Sequence, residues 1–182
     1  HNMNKVKQSI TQYLTQSIRN IPDFPQKGIQ YKDITTLLKD PDALQLTSNL
    51  LKRPFIDEKI DFVVGLESRG FLFGPRLAQD LNAGFIPIRK PGKLPAETIS
   101  ATFELEYGED TLEMHTDAIS KGDRILIHDD LIATGGSAKA GTELVQELGG
   151  IVVGYSFITA LKDLEGQQKL PDGVITDVLM WL

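Results

Sequence analysis

Residues 125–141 read ILIHDDLIATGGSAKAG: an apolar run, two acids, then a turn with two adjacent glycines. Gly135 and Gly136 let backbone N–H groups converge, and a helix starting there turns its positive end to the same point. Ala133-Thr134-Gly135-Gly136-Ser137 is therefore suited to an anion, with the Thr134 and Ser137 hydroxyls as extra donors. Asp129 and Asp130, directly ahead of it, would repel a bare phosphate. Together they suit a ligand with a phosphate at one end and hydroxyls plus a divalent metal at the other, which describes a phosphorylated sugar. The plainer alternative makes Asp129 and Asp130 turn caps and Gly135-Gly136 a tight connection. Neither GxxxxGK[ST] nor GxGxxG occurs, so nucleoside triphosphate cleavage and dinucleotide binding lose their usual support.

Other residues with chemical capacity are scattered. Glu67-Ser68-Arg69-Gly70 follows the short apolar run FVVG, and Arg89, Lys90 and Lys93 bunch around the end of GFIPIRK. Arg suits planar double contacts with phosphate, and Lys serves as a point charge. Glu106 and Tyr107 sit in LEYG, where a carboxylate and a phenol are as often plain surface residues. His128, with no Cys and no second His nearby in sequence, reads as a partly buried, hydrogen-bonded residue and not as a metal ligand.

The elements that must position these groups come from periodicity. FVVG, turn, FLFGPRLAQDL and GFIPIRK form a strand-helix-strand unit; ILIHD, LIATGGS, AKAGTELVQEL and IVVGYSFITAL form a second. Runs this apolar, alternating with helices, predict right-handed crossovers onto a mainly parallel sheet. In such sheets ligands bind beyond the carboxyl ends of the strands, where both turns fall. KVKQSITQYLTQSIR predicts an amphipathic N-terminal helix, PDFPQKGIQYKDIT a shaped irregular loop, and DPDALQLTSNLLKRPF a helix opened by Asp40-Pro41. The stretch PGKLPAETISATFELEYGEDTLEMH contains a strand pair in TISATFELEY and lacks a long apolar face, so residues 91–112 are expected to form a flexible arm outside the core.

The bulk numbers agree. A chain of 182 residues makes one domain, able to bury roughly 70% of its unfolded surface. Domain residues are taken as 3–182, with 3–35 as N-terminal helix and hood loop; His1-Asn2 reads as a tag residue and Met3 as the native start. The absence of Cys excludes disulfides and thiolate chemistry and fits a cytoplasmic setting. A formal net charge of −6 argues against general nucleic-acid binding, and no run of 18 apolar residues predicts a membrane span. A small anion suits the local basic cluster better than a polymer does.

ILIHDDLIATGGSAKA resembles the ribose-phosphate signature of the type I phosphoribosyltransferases: mostly apolar residues, two acids and an ATGG[ST] turn. FPQKGIQYKDIT, GLESRGFLFG, IPIRKPGKLPAETIS and LEYG resemble, in order and spacing, segments of the adenine phosphoribosyltransferase family. The resemblance spans most of residues 20–160; the segment from Leu170 to Leu182 is less diagnostic. It implies the type I phosphoribosyltransferase fold, α/β, with a central mostly parallel sheet flanked by helices, an N-terminal hood and a flexible arm. It also implies transfer of the 5-phosphoribosyl group from 5-phosphoribosyl 1-diphosphate to adenine, giving AMP and diphosphate, with magnesium (Mg2+), in a homodimer that engages neither nucleic acid nor membrane. Alternatives are a relative acting on hypoxanthine, guanine or xanthine, and a non-catalytic regulator that senses the sugar donor.

Residue by residue, the resemblance implies that Asp129 and Asp130 hold the ribose hydroxyls and, indirectly, the metal, while Ala133, Thr134, Gly135, Gly136 and Ser137 hold the phosphate. The backbone of Glu67 and Ser68, with a cis peptide between them, receives diphosphate together with Arg89, Lys90 and Lys93. Arg69 approaches the purine, the backbone around Gln30 reads its edge, and Tyr31 and Leu131 pack on it. Glu106 closes over the base near N7 and Tyr107 helps to shut the site, which makes this pair the catalytic candidates. Gln30, Tyr31 and Lys32 depart from the commoner family pattern of apolar, Phe and Arg, Ser137 stands where Thr is commoner, and His128 where an aliphatic residue is usual.

Overall fold

The runs 63–66, 125–128 and 154–160 are too apolar to face water on either side, and the computed structural model buries them accordingly. Residues 2–105 and 107–182 are described here, without the side chain of Asn2. The chain divides into two compact units, residues 1–50 and 51–182.

In the first unit, α1 (Asn2–Gln16) is the expected amphipathic helix. The stretch anticipated as an irregular loop contains a small antiparallel sheet of β1 (Arg19–Pro22) and β2 (Gln30–Asp33). A paired salt bridge, Arg19 Nη2 to Asp33 Oδ2 at 2.5 Å, fastens its open end, and a cis Phe24-Pro25 bond lies in its connection. Local sequence does not advertise pairing that depends on residues 14 apart. α2 (Thr35–Lys39) and α3 (Pro41–Lys52) follow; the Asp40 carboxylate accepts from the Asp42 amide at the start of α3.

Asp33 is buried and accepts bonds from the Thr35 hydroxyl and amide and from Arg19. The Thr35 bonds and then Arg19 lower its pKa from 3.8 to about 2. A depressed carboxylate contributes stability that is present above its unfolded pKa and is lost as pH falls through the folded value. Asp33→Asn is therefore expected to lower stability by about 1–3 kcal/mol near neutral pH, the scale of hydrogen bonds to a charged group. The deficit should vanish near pH 2. Thermal melts of both proteins across that range check it; an offset independent of pH would contradict the assignment.

The second unit is built on β3 (Phe62–Leu66), α4 (Gly70–Asp80), β4 (Gly84–Ile88), β5 (Thr98–Glu104), β6 (Glu109–His115), β7 (Arg124–Ile132), α5 (Gly136–Glu147), β8 (Ile151–Ala160) and β9 (Ile175–Trp181). The central sheet has the order β4-β3-β7-β8-β9, every pairing parallel. β9, from the least diagnostic segment, is its edge. Side chains alternate across the sheet. Val64, Leu66, Ile125 and Ile127 join Leu144, Val145, Tyr155 and Phe157 in the core under α5. On the opposite face α4 comes so close that a Cβ at Gly65 or Gly74 would strike the Phe85 ring. Connections run outward in opposite directions from the neighbours β3 and β7, which opens a crevice at their carboxyl ends.

The arm differs from expectation. It is a hairpin of β5 and β6 in continuous register from Thr98↔His115 to Glu104↔Glu109, extending past residue 112. Leu112 and Met114 are buried in the main core, and Ile99, Ala101 and Phe103 pack against it. The alternation in TLEMH is thus a one-sided strand face, short but sufficient. His128 likewise is fully buried, beyond the partial burial expected; it contacts Ser156 Oγ at 3.2 Å, and burial lowers its pKa to about 4, with the Ser156 bond opposing.

Candidate active site at the carboxyl ends of two strands

Asp129 and Asp130 are part of β7 itself, which continues to Ile132 instead of ending at the acids. Strand alternation sends their side chains to different faces. Asp130 is almost fully buried and pairs with Arg69 Nε at 3.0 Å. Asp129 accepts from the Asp130 amide at 2.8 Å. Burial first, and then the neighbouring charge of Asp130, push the Asp129 carboxyl well above the usual carboxylate range, with Arg69 opposing. Two carboxylates so placed would be relieved by added positive charge.

Beyond β7 the turn Ala133–Gly135 leads into α5. Gly135 has φ +85°, a left-handed conformation that favours glycine, and no side chain caps the helix that follows. The first α5 amides therefore retain their capacity to bind an anion, and no acid stands in the first turn. Gly136 is closed in by the arm: a Cβ there would lie 2.9 Å from Phe103 Cδ2.

The turn after β3 carries the cis peptide Glu67-Ser68. Glu67 Oε2 accepts from Arg89 Nε at 3.0 Å and from the Lys90 amide at 3.3 Å, so this carboxylate shapes the end of β4. Gly70 lets α4 begin against β7: a Cβ there would lie 3.1 Å from the His128 carbonyl.

One cavity of about 270 Å³ is lined by Glu67, Arg69, Lys90, Asp129, Asp130, Leu131, Ala133, Thr134, Gly135 and Ser137. Ten of the residues singled out from sequence, drawn from three separate segments, thus meet in one place. Gly136 is buried beside it under Phe103. Ser68 is exposed at the turn, Arg89 is held by Glu67, and Lys93 is exposed on the loop after β4; none of the three lines the cavity. Tyr107 is exposed at the arm's tip, and Glu106 lies outside the described residues. Gln30 and Tyr31 belong to the first unit. There Asn20 donates to Gln30 Oε1 at 2.7 Å and accepts from Lys32 Nζ at 2.9 Å, while Tyr31 stacks edge-on with Phe24 at 5.1 Å.

A phosphoribosyl transferase domain model matches residues 33–174. The chain belongs to the phosphoribosyltransferase family. An adenine phosphoribosyltransferase of Koribacter versatilis is 56% identical over 155 residues, 85% of each chain. The crystal structure of adenine phosphoribosyltransferase from Rhodothermus marinus superposes with a TM-score of 0.92 at 50% identity, covering 96% of this chain and 99% of that one. The Saccharomyces cerevisiae enzyme, in complex with an imino-altritol bisphosphate and adenine, gives a TM-score of 0.87 at 43% identity over 94% and 99%. Within its family the chain therefore groups with the adenine phosphoribosyltransferases.

Sequence reading missed four cavity residues from the arm: Phe103, Leu105, Asp110 and Leu112. Asp110 forms an ion pair with Lys90 Nζ. Phe103 and Asp110 are register partners, so a single rung of the hairpin touches both the helix start and the basic strand end. No local signal marks them; only pairing across the hairpin brings them to the cavity. Asp110 is in effect an internal anion on a cation expected to receive diphosphate. Asp110→Asn should therefore lower KM for the sugar donor about two- to fivefold, since a partly exposed pair is worth roughly 0.2–1 kcal/mol. Steady-state kinetics at saturating adenine decide this, and a raised KM would show that Asp110 supports Lys90 instead of competing for it.

Proposed function

We propose that this chain transfers the 5-phosphoribosyl group from 5-phosphoribosyl 1-diphosphate to N9 of adenine, releasing AMP and diphosphate. The observation that carries the reading is the cavity in which an anion-binding turn adjoins the Asp129–Asp130 carboxylate pair and faces the Glu67–Lys90 strand end. In this reading Ala133–Ser137 hold the 5-phosphate, Asp129 and Asp130 the ribose hydroxyls, and the Glu67-Ser68 backbone with Arg89, Lys90 and Lys93 the diphosphate. Arg69, besides pairing with Asp130, is assigned to the purine together with Leu131, and base contacts are also assigned to Gln30 and Tyr31.

The donor set fits magnesium. That ion binds through one or two carboxylates together with substrate oxygens, and the Asp129–Asp130 pair offers the carboxylates. Held near that pair, it would neutralise charge on the departing diphosphate. The chain's own residues perform the remaining tasks. As the C1′–O bond breaks, positive charge develops on the ribose ring, and in this reading the negative charge of Asp129 and Asp130 stabilises it. Glu106 and Tyr107 close the arm, shut out water and orient adenine through N7. Glu106→Ala should lower kcat by more than about tenfold with donor affinity unchanged, since a positioned acid or base often contributes ~10²-fold to 10⁴-fold. Single-turnover AMP formation checks it; an unchanged rate would remove Glu106 from the machinery.

A cytoplasmic homodimer completes the proposal. The reading is tested by following diphosphate release from the sugar donor with purified protein. Release should require both adenine and magnesium and should match AMP formed one for one. Release without AMP, or AMP formation indifferent to magnesium, would overturn it.

A further inference from the structure

Behind the anion-binding turn lies a segment to which sequence reading assigned no role. After β8 the chain makes two short 3-10 turns, Lys162–Leu164 and Gly166–Lys169, before Leu170 returns to the core. Its ends are fastened: the Leu161 amide bonds the Ile132 carbonyl at 3.1 Å, and Leu170 is buried in the core. Between exposed Glu165 and Gln168, Gly166 is buried.

What Gly166 is buried against is the backbone of the turn. A Cβ on it would overlap the Ala133 carbonyl oxygen outright and lie 2.9 Å from the Gly135 nitrogen and 3.0 Å from Ile132 Cγ1. The contact is reciprocal, since a Cβ on Gly135 would overlap the Gly166 carbonyl oxygen and lie 3.2 Å from its Cα. Real Cβ atoms essentially never come this close to backbone, so any side chain at Gly166 forces the turn or the segment to move. Both are anchored: the turn between β7 and α5, the segment between Leu161 and Leu170.

We infer that Gly166 is a positioning residue for the donor's 5-phosphate: its bare backbone sets the position of Ala133–Gly135 from the side away from the ligand. This rests on the proposed role of residues 133–137 as the phosphate site. Gly166 touches no substrate. Its effect is confined to the turn, while the Glu67-Ser68 turn and Lys90, which belong to β3 and β4, are left in place. The segment thereby affects one end of the donor and not the other.

The test separates those two ends. Gly166→Ala is titrated calorimetrically with ribose 5-phosphate, which carries the 5-phosphate alone, and with magnesium diphosphate, which carries none. Affinity for ribose 5-phosphate should fall at least tenfold, affinity for diphosphate should stay within twofold, and KM for the donor should rise with adenine KM unchanged. Equal losses for both ligands, or none for either, would overturn the inference. A second measurement needs no variant: in the wild type, ribose 5-phosphate should slow amide hydrogen exchange at residues 165–167 together with 134–137. Protection confined to 134–137 would overturn it. If ribose 5-phosphate does not bind the wild type at all, the reading of the turn itself fails, an outcome distinct from wild-type binding that Gly166→Ala leaves intact.

Discussion

Gly136→Asp is expected to weaken binding of the sugar donor by about a thousandfold or more. Two unit charges of like sign 4 Å apart repel by about 4 kcal/mol at an effective dielectric of 20, close to a factor of 10³ in affinity. The introduced carboxylate would stand at the first residue of α5, where the amides offered to an anion converge. Bulk adds to charge, because the Cβ alone lies 2.9 Å from Phe103 Cδ2. Gly136→Ala, which brings the bulk without the charge, should fall well short of this loss. Calorimetric titration of folded variants with donor and magnesium measures both. Affinity for the aspartate variant within a few-fold of wild type would remove the turn from the phosphate site.

The second large effect concerns the carboxylate pair. Asp129→Asn and Asp130→Asn should each lower the transfer rate about a hundredfold or more, since an amide keeps a hydrogen bond but loses the charge-assisted hold on hydroxyls and metal complex. Asp130→Asn also leaves Arg69 without the charge that it now meets at 3.0 Å. The two variants should part company in stability. Burial and the neighbouring carboxylate raise the Asp129 pKa, so stability from this group is present below its unfolded pKa and is lost as pH rises through the folded value. Asp129→Asn should therefore melt higher than wild type at about pH 8, and the difference should disappear below about pH 4. A variant more stable yet nearly inactive would mark Asp129 as retained for function. Rates across a magnesium series together with melts at both pH values settle the point. Unchanged rates would reduce the pair to turn caps.

How much of this was legible in the sequence depends on how local each signal is. Phe62–Leu66 and Arg124–Ile132 announce buried parallel strands because burial on both faces demands consecutive apolar residues. The anion-binding turn is legible because donors, glycines and helix start are contiguous. The sheet of β1 and β2 was not, since Arg19 and Asp33 must meet across a connection that reads as loop. The core role of Leu112 and Met114 was missed because a strand face of two buried residues is shorter than the pattern sought. Asp110 and Gly166 are ordinary by type and neighbourhood. One acquires its place through hairpin register and the other by backbone contact with a turn some 30 residues away, neither of which leaves a trace in local spacing. Site residues from β3, β4 and β7 converge because the strand order reverses between β3 and β7, a property of topology that motif spacing conveys only indirectly.

The most direct test of the central claim is base choice under saturating sugar donor and magnesium. A site that hydrogen-bonds one purine edge rejects an analogue presenting the wrong donors and acceptors by as much as about 10⁴ to 10⁵, because buried polar groups are then left unpaired. Initial rates of nucleotide formation should be measured with adenine, hypoxanthine, guanine and xanthine in parallel. The kcat/KM for adenine should be at least about a hundredfold above that for each of the other three. A rate with hypoxanthine, guanine or xanthine equal to or above that with adenine would contradict it.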